Sequence, residues 1–259
     1  DGVNDAPAIK DAHVGVGMGI TGTDVTKSAA DIVLMDDSFS TIIIAVEEGR
    51  RIYNNIRNNI VYSLSSNFAE IFTIIIGLLS GNTILLPIYI LFIDLVTDSV
   101  PSICLAFEKS EKNIMSKKPR GLNKSLFTPF IKSCFISSAI VETLFVCLTY
   151  FISLKLYNNE IAMSLALLSM IVQEIIYSIS CRNLKEPVFK QGLFSNKAMN
   201  IGLTIIILIE LLVFMTPLGK IISVESIKPS LVLIIFLINS SSFIIYELLK
   251  PLLKKVFKD

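Results

Sequence analysis

The chain is poor in the residues that build most metal and redox centres. It has one histidine, His13, among 259 residues, which excludes a histidine-built metal site. Its four cysteines, Cys104, Cys134, Cys147 and Cys181, fall in or at the edge of apolar runs. They show no CxxC spacing and read as reduced core packers. Charge is scarce as well: 17% of residues are charged and the formal net charge is +1, so nothing points to a nucleic-acid partner. What is abundant is apolar residues, 53% of the chain, with a mean hydropathy of +0.68. That is the balance of a membrane protein.

The stretch Ile84–Phe107 reads as a transmembrane helix by length and apolarity. Yet its middle carries Asp94, Thr97, Asp98 and Pro101. A carboxylate at mid-bilayer costs about 3 kcal/mol on insertion scales. Asp94, Thr97 and Asp98 stand at i, i+3 and i+4 and share one helix face. Pro101 has no N–H, so the Thr97 carbonyl loses its helical donor and is expected to point elsewhere. Two carboxylates, a hydroxyl and a loose carbonyl are hard oxygen donors that suit a hard cation. The plainer alternative is a polar seam that only joins helices.

The preceding span, near 60–79, carries Asn67 and Glu70 at i, i+3. Ser80–Thr83, with Gly81, is a short turn, so the two spans are expected to pack antiparallel. Counted outward from that turn, both polar groups lie about 20 Å away at 1.5 Å per residue. They should therefore converge at one level of the membrane. Up to three negative charges then meet there, on Glu70, Asp94 and Asp98.

Residues 1–50 have a different texture. DGVNDAPAIKDA places an acidic turn before a short helix. HVGVGMG reads as a strand ending in a Gly-rich loop. TGTDVTKSAADIVLMDD predicts a helix and then a buried strand, 32–35. This is α/β texture, the remnant of a parallel-sheet domain. Asp1, Asn4 and Asp5 cluster at a strand-to-helix loop, where such folds place a Mg²⁺ or phosphate site; a generic acidic turn is the alternative. From Phe39 a helical pattern runs through Gly49 into the first span, a long stalk that would couple the soluble piece to Asn67 and Glu70.

The fold expected is mainly α: six spans near 60–79, 84–107, 127–154, 161–181, 198–218 and 229–249, within a membrane domain 51–259. Lys and Arg gather in the 107–126 and 182–197 loops and after Leu249, while the alternate connections carry few. By the positive-inside rule both ends of the chain lie in the cytoplasm. The later spans hold Glu142, Gln173, Glu174 and Glu210. A structural role is the expectation for Glu142 and Glu210, and a ligand role stays open for Glu174. Glu247 sits near a membrane end, where it is expected to reach water.

Several segments together resemble the P-type cation-transporting ATPases. These are DGVNDAPAIKDAHVGVGMGITGTDVTKSAADIVLMDD, EEGRRIYNNIRN, SSNFAE, FIDLVTDSVPSICLAFE, NIMSKKPR and GLFSNK. They are similar to the second subclass, which pumps Ca²⁺, Na⁺/K⁺ or H⁺, and the covered spans lack the Cys-Pro-Cys of heavy-metal pumps. The resemblance implies that residues 1–50 close a haloacid-dehalogenase-like phosphorylation domain. It implies that Asp1 binds Mg²⁺ and that Asn4 and Asp5 line the phosphorylation site. It implies cation ligands at Asn67, Glu70, Asp94, Thr97 and Asp98, with Glu174 near a further ligand of the calcium pumps. An aspartyl-phosphate cycle driven by ATP follows. The chain is then expected to be a C-terminal fragment. Its partners would be membrane lipid, the transported cation and the rest of the polypeptide: actuator, nucleotide-binding domain and first four membrane helices. Without the phosphorylated aspartate it should not hydrolyse ATP alone.

On ion choice the resemblance divides. DLVTD followed by SVPSICLA mixes the pattern of calcium pumps, which have Asn at the position of Asp94, with that of sodium/potassium pumps, which have Asp. The expectation is Ca²⁺ export across a bacterial plasma membrane, with a Na⁺/K⁺- or H⁺-type pump as the alternative. A passive channel or secondary transporter explains the intramembrane carboxylates but not DGVNDAP. A soluble phosphatase-like fold explains DGVNDAP but not six spans.

Overall fold

The computed structural model describes residues 1–111, 113–119, 121 and 125–257. Lys112, Arg120 and Lys124 of the basic 107–126 loop, and Lys258 of the tail, lie outside the described residues. The chain forms two compact units, Asp1–Tyr53 with Ser110–Lys118, and Asn54–Lys109 with Pro119–Asp259.

The first unit is the α/β part. A 3-10 turn, Val3–Asp5, leads into α1, Ala6–Asp11. Pro7 sits in the first turn, where its missing N–H has no intrahelical partner to lose. Strand β1, Val16–Met18, pairs in parallel with β2, Ile32–Leu34. The crossover between them is α2, Asp24–Ala29, capped by Thr23, whose hydroxyl accepts the Thr26 amide at 3.3 Å. The Asp37 carboxylate accepts the amides of Gly19, Ile20 and Thr21 at 2.6, 2.9 and 2.7 Å and the Thr21 hydroxyl at 2.7 Å. These donors, the Ile20 amide foremost, hold its carboxyl down at about 2. Asp37 adopts φ 52°, a left-handed conformation that Asp tolerates better than most residues. Arg50 joins two of the quoted segments: its Nη1 donates to the Ile114 and Lys117 carbonyls at 2.8 and 2.9 Å.

Helix α3, Phe39–Leu79, passes Gly49 without interruption and supplies residues 39–53 to the first unit and 54–79 to the second. It stops at a tight turn in which Gly81 has φ 72° and the Asn82 amide donates to the Gly77 carbonyl at 2.9 Å. The next span has three parts: α4, Pro87–Phe92, a π-helical turn, Ile93–Asp98, and α5, Ser99–Ala106. The irregular turn takes in Thr97, the residue whose carbonyl Pro101 leaves without a helical donor. The helix stays continuous and widens there, and hydroxyls answer backbone carbonyls. Thr97 Oγ1 donates to the Ile93 carbonyl at 3.0 Å, and Ser99 Oγ to the Asp94 carbonyl at 2.7 Å.

Four more spans follow: α6, Pro129–Leu156; α7, Asn159–Cys181; α8, Lys197–Met215; and α9, Pro229–Ser240, continued by α10, Ser242–Val256. Thr128, Asn158 and Asn196 cap α6, α7 and α8 by accepting the amides of Ile131, Ile161 and Met199. Among the described residues, six helical segments are long and apolar enough to cross a membrane. Helix α7 is the axis of this unit: every residue from Ser164 to Ser178 is buried. It packs against α6, α9 and α10. Helices α5 and α8 approach closely at Gly202, where a Cβ would stand 2.6 Å from Cys104 Sγ. All four cysteines are free and buried, as packing residues should be.

Candidate cation site

The antiparallel pairing of the first two spans brings their polar residues to one level. Asn55 Nδ2 donates to the Ala106 and Glu108 carbonyls, both at 3.0 Å, and Ser63 Oγ lies 3.5 Å from Ser102 Oγ. Further along, Glu70 lies near enough to Asp94 and Asp98 for their charges to act on it. Glu70, Thr97 and Asp98 are all buried.

Glu174 on α7 is the centre of the arrangement. Its Oε1 accepts from Ser66 Oγ at 2.7 Å and its Oε2 from Thr97 Oγ1 at 2.9 Å. One carboxylate thus joins α3, the π-helical turn and α7. By contrast, Glu70 Oε1 and Asp98 Oδ1 are buried without hydrogen-bond partners among the described residues. The Tyr62 hydroxyl lies beside Asp98 but closes no hydrogen bond. Among the described residues no three His, Cys, Asp or Glu side chains stand close enough to hold a metal ion together.

Two candidate residues are not drawn into this interior. Asn67 is exposed and its Nδ2 donates to the Ser63 carbonyl at 2.8 Å. Asp94 is also exposed, although its charge still reaches Glu70. Asp1, Asn4 and Asp5 are exposed at the head of α1 in the other unit. There Asp5 Oδ2 accepts the Gly2 amide at 2.9 Å, and the Asp1 carbonyl accepts the Thr23 amide at 3.1 Å.

Sequence reasoning missed two groups. Ser66 lies one residue before Asn67 in SSNFAE, but nothing local marks it as the partner of a carboxylate 108 positions away. Arg182 belongs by sequence to the basic 182–197 loop, yet it is fully buried. Its Nε and Nη2 donate to Glu108 at 2.7 and 3.1 Å, and it also reaches the Gly192 and Leu193 carbonyls and Ser195 Oγ. Asn196 Nδ2 adds a bond to Glu108 at 2.9 Å, and Asn58 Nδ2 holds the Arg182 carbonyl at 3.1 Å. The GLFSNK segment thus surrounds an ion pair that ties the ends of four spans together. Glu247 likewise departs from expectation: it is buried, accepts from Ser180 Oγ at 2.7 Å and the Val188 amide at 2.8 Å, and pairs with Lys250. Gln173 belongs to a separate structural network with Asn239 at 3.0 Å and the Tyr246 hydroxyl at 2.8 Å.

Residues 82–252 match the family described as "Cation transporting ATPase, C-terminus". The chain belongs to the cation-transporting ATPase family. It is an integral membrane protein of that family, and the match takes in the π-helical turn, Glu174 and the Glu108–Arg182 pair. The chain is similar to calcium-transporting ATPase 1 of Bacillus cereus, 37% identical over 249 residues, covering 88% of this chain and 28% of that protein. It is also similar to the calcium-transporting ATPase of Bacillus subtilis, 37% identical over 234 residues, with 88% and 26% covered. Potassium-transporting ATPase alpha chain 2 of Homo sapiens is 36% identical over 252 residues, with 82% and 24% covered. The chain therefore spans about a quarter of the length of these relatives.

Proposed function

We propose that this chain is the cation-binding C-terminal region of an ATP-driven pump that works through an aspartyl-phosphate cycle and exports Ca²⁺. The observation that carries the reading is Glu174, which joins Ser66 and Thr97 at mid-membrane beside the open oxygens of Glu70 and Asp98. Isolated carboxylates are costly in a bilayer and mark ion pathways. Ca²⁺ takes six to eight oxygens in irregular geometry, which suits a donor set of carboxylates and hydroxyls. A π-helical turn at these residues supports a transport role, since such turns recur at functional sites. The calcium-transporting relatives support the choice of ion.

In this reading Asn67 and Asp94 face residues of the first four membrane helices, which complete the site. The basic loops lie in the cytoplasm of a bacterial cell, and α3 carries motion between the phosphorylation site and the ions. Asp1 and Asp5 offer exposed carboxylates, hard oxygen donors that fit Mg²⁺. Asp1 would hold the ion, Asn4 and Asp5 would line the phosphorylated position, and bound Mg²⁺ supplies charge neutralisation during phosphoryl transfer from ATP.

A monovalent-cation pump is the second reading, favoured by Asp94 and by the potassium-transporting relative. The test is phosphorylation of the full-length protein by ATP against Ca²⁺, Na⁺ and K⁺ titrations. Asp98→Asn and Glu70→Gln should abolish ion-dependent phosphorylation while leaving phosphorylation from inorganic phosphate intact. Asp94→Asn should keep transport if the ion is Ca²⁺ and damage it badly if the ion is monovalent. Activation by Na⁺ or K⁺ with none by micromolar Ca²⁺ overturns the choice of ion. Wild-type ion dependence in both Asp98→Asn and Glu70→Gln overturns the site.

A further inference from the structure

Glu142 stands at the middle of α6, fully buried, and neither of its carboxyl oxygens meets a hydrogen-bond partner among the described residues. Its neighbour Thr143 donates to the Ala69 carbonyl at 3.3 Å, which fixes this turn of α6 at the level of Glu70. The charges of Asp98 and Glu70 reach Glu142, and its own reaches Glu174.

Buried carboxylates away from this level show what a structural role looks like. Both oxygens of Glu108 and Glu247 have donors. Glu210 resembles Glu142 in lacking partners among the described residues, but it lies on α8, away from the polar faces of α3 and the π-helical turn. Glu70 Oε1, Asp98 Oδ1, Tyr62 Oη and Thr73 Oγ1 are buried without hydrogen-bond partners among the described residues as well. Buried polar atoms are almost always satisfied, and unsatisfied ones point to a bound water or ion. Buried oxygens without partners thus occur on α3, α6 and the π-helical turn.

We infer that Glu142 is a ligand of the transported cation and extends the site to the third span of this chain. The inference rests on the pump reading above. Since no three carboxylates converge on one point among the described residues, this chain offers the ion Glu142 with one further carboxylate and hydroxyl oxygens, and water and the remaining helices complete the shell. This is a hard-cation shell of mixed charge.

The experiment uses the full-length protein with Ca²⁺, Na⁺ and K⁺ as probes, measuring equilibrium binding of the activating ion and phosphorylation from ATP and from inorganic phosphate. Glu142→Gln should lower the apparent affinity for that ion at least tenfold, or remove one bound ion per molecule, while phosphorylation from inorganic phosphate survives. Glu142→Asp, which keeps the charge on a shorter arm, should bind better than Glu142→Gln. Unchanged affinity and ion number in Glu142→Gln would overturn the inference. If Glu142→Gln loses phosphorylation from inorganic phosphate, Glu142→Asp decides: a shifted affinity supports the assignment and a wild-type one refutes it. A wild-type protein with no ion-dependent phosphorylation sinks the pump reading itself and is distinguishable from both.

Discussion

Arg182→Ala is the substitution whose cost can be reasoned most directly from the structure. Arg182 and Glu108 have side-chain exposures of 0% and 4%, so water screens their interaction very little. Removing Arg182 strips Glu108 of two charge-assisted bonds and leaves Asn196 Nδ2 as a neutral donor to Oε2. It also takes the guanidinium away from the Gly192 and Leu193 carbonyls and Ser195 Oγ. Breaking a buried pair by deleting one partner costs about 3–5 kcal/mol, because the remaining charge stays buried. The remaining bond from Asn196 places the expected loss toward the lower end. The assay is reversible unfolding in mixed micelles for Arg182→Ala, Glu108→Ala and the double mutant. The double mutant should be less destabilised than the sum of the singles by about 0.5–3 kcal/mol, the range seen for contacting residues. Arg182→Lys should remain impaired, since an ammonium cannot reproduce the two-pronged contact. Additive singles, or an Arg182→Ala variant within about 0.5 kcal/mol of wild type, would show that the pair does not hold these spans together.

Three further outcomes follow from other parts of the molecule. Gly202→Ala puts a Cβ 2.6 Å from Cys104 Sγ and 2.9 Å from Val100 Cγ1; overpacking of this kind costs about 1–3 kcal/mol, and Cys104→Ala should recover part of it in the same unfolding assay. Asp37, whose carboxyl is held down at about 2, stabilises the first unit above the ordinary carboxylate range, and that contribution disappears as pH falls through about 2. Asp37→Ala should therefore increase proteolytic cutting of the Gly19–Gly22 loop at neutral pH, and equal cutting of variant and wild type would refute the role. Asp1→Ala in the full-length protein should lower phosphorylation at every ion concentration while leaving ion binding intact, and normal turnover at ordinary Mg²⁺ would reduce the DGVNDAP segment to a turn.

The sequence made the spans legible because their apolar runs are long and their starts carry Pro, Thr or Asn caps. It made the polar faces legible because Asp94, Thr97 and Asp98 repeat at helical spacing. It could not say which side of such a face turns inward. Asn67 and Glu70 are three residues apart, a rotation of about 60° short of a full turn on a helix; Glu70 is buried and Asn67 is exposed. Pro101 marked the irregularity at the Thr97 carbonyl but not its form, since the backbone widened into a π-helical turn rather than breaking. Partners far apart in the chain left no local trace. Arg182 looked like one more basic loop residue until Glu108, 74 positions earlier, was seen beside it. Glu247 looked accessible for the same reason: its partners Ser180 and Val188 belong to the far end of α7 and the loop beyond it.

The burial of α7 on every side bears on how the protein is made. Some of its polar side chains are matched by residues synthesised later: Ser169 and Gln173 by Asn239, and Gln173 also by Tyr246. During translation α7 therefore enters the bilayer before its final neighbours exist, with Glu174 and Gln173 both in its middle. A helix with such residues gains from companions already in place, and Ser66 and Thr97 have by then emerged. Assembly would thus proceed outward from α7, with the last span closing over Gln173. A chain cut short after Cys181 would leave that side of α7 facing lipid, a state that cellular quality control is equipped to find.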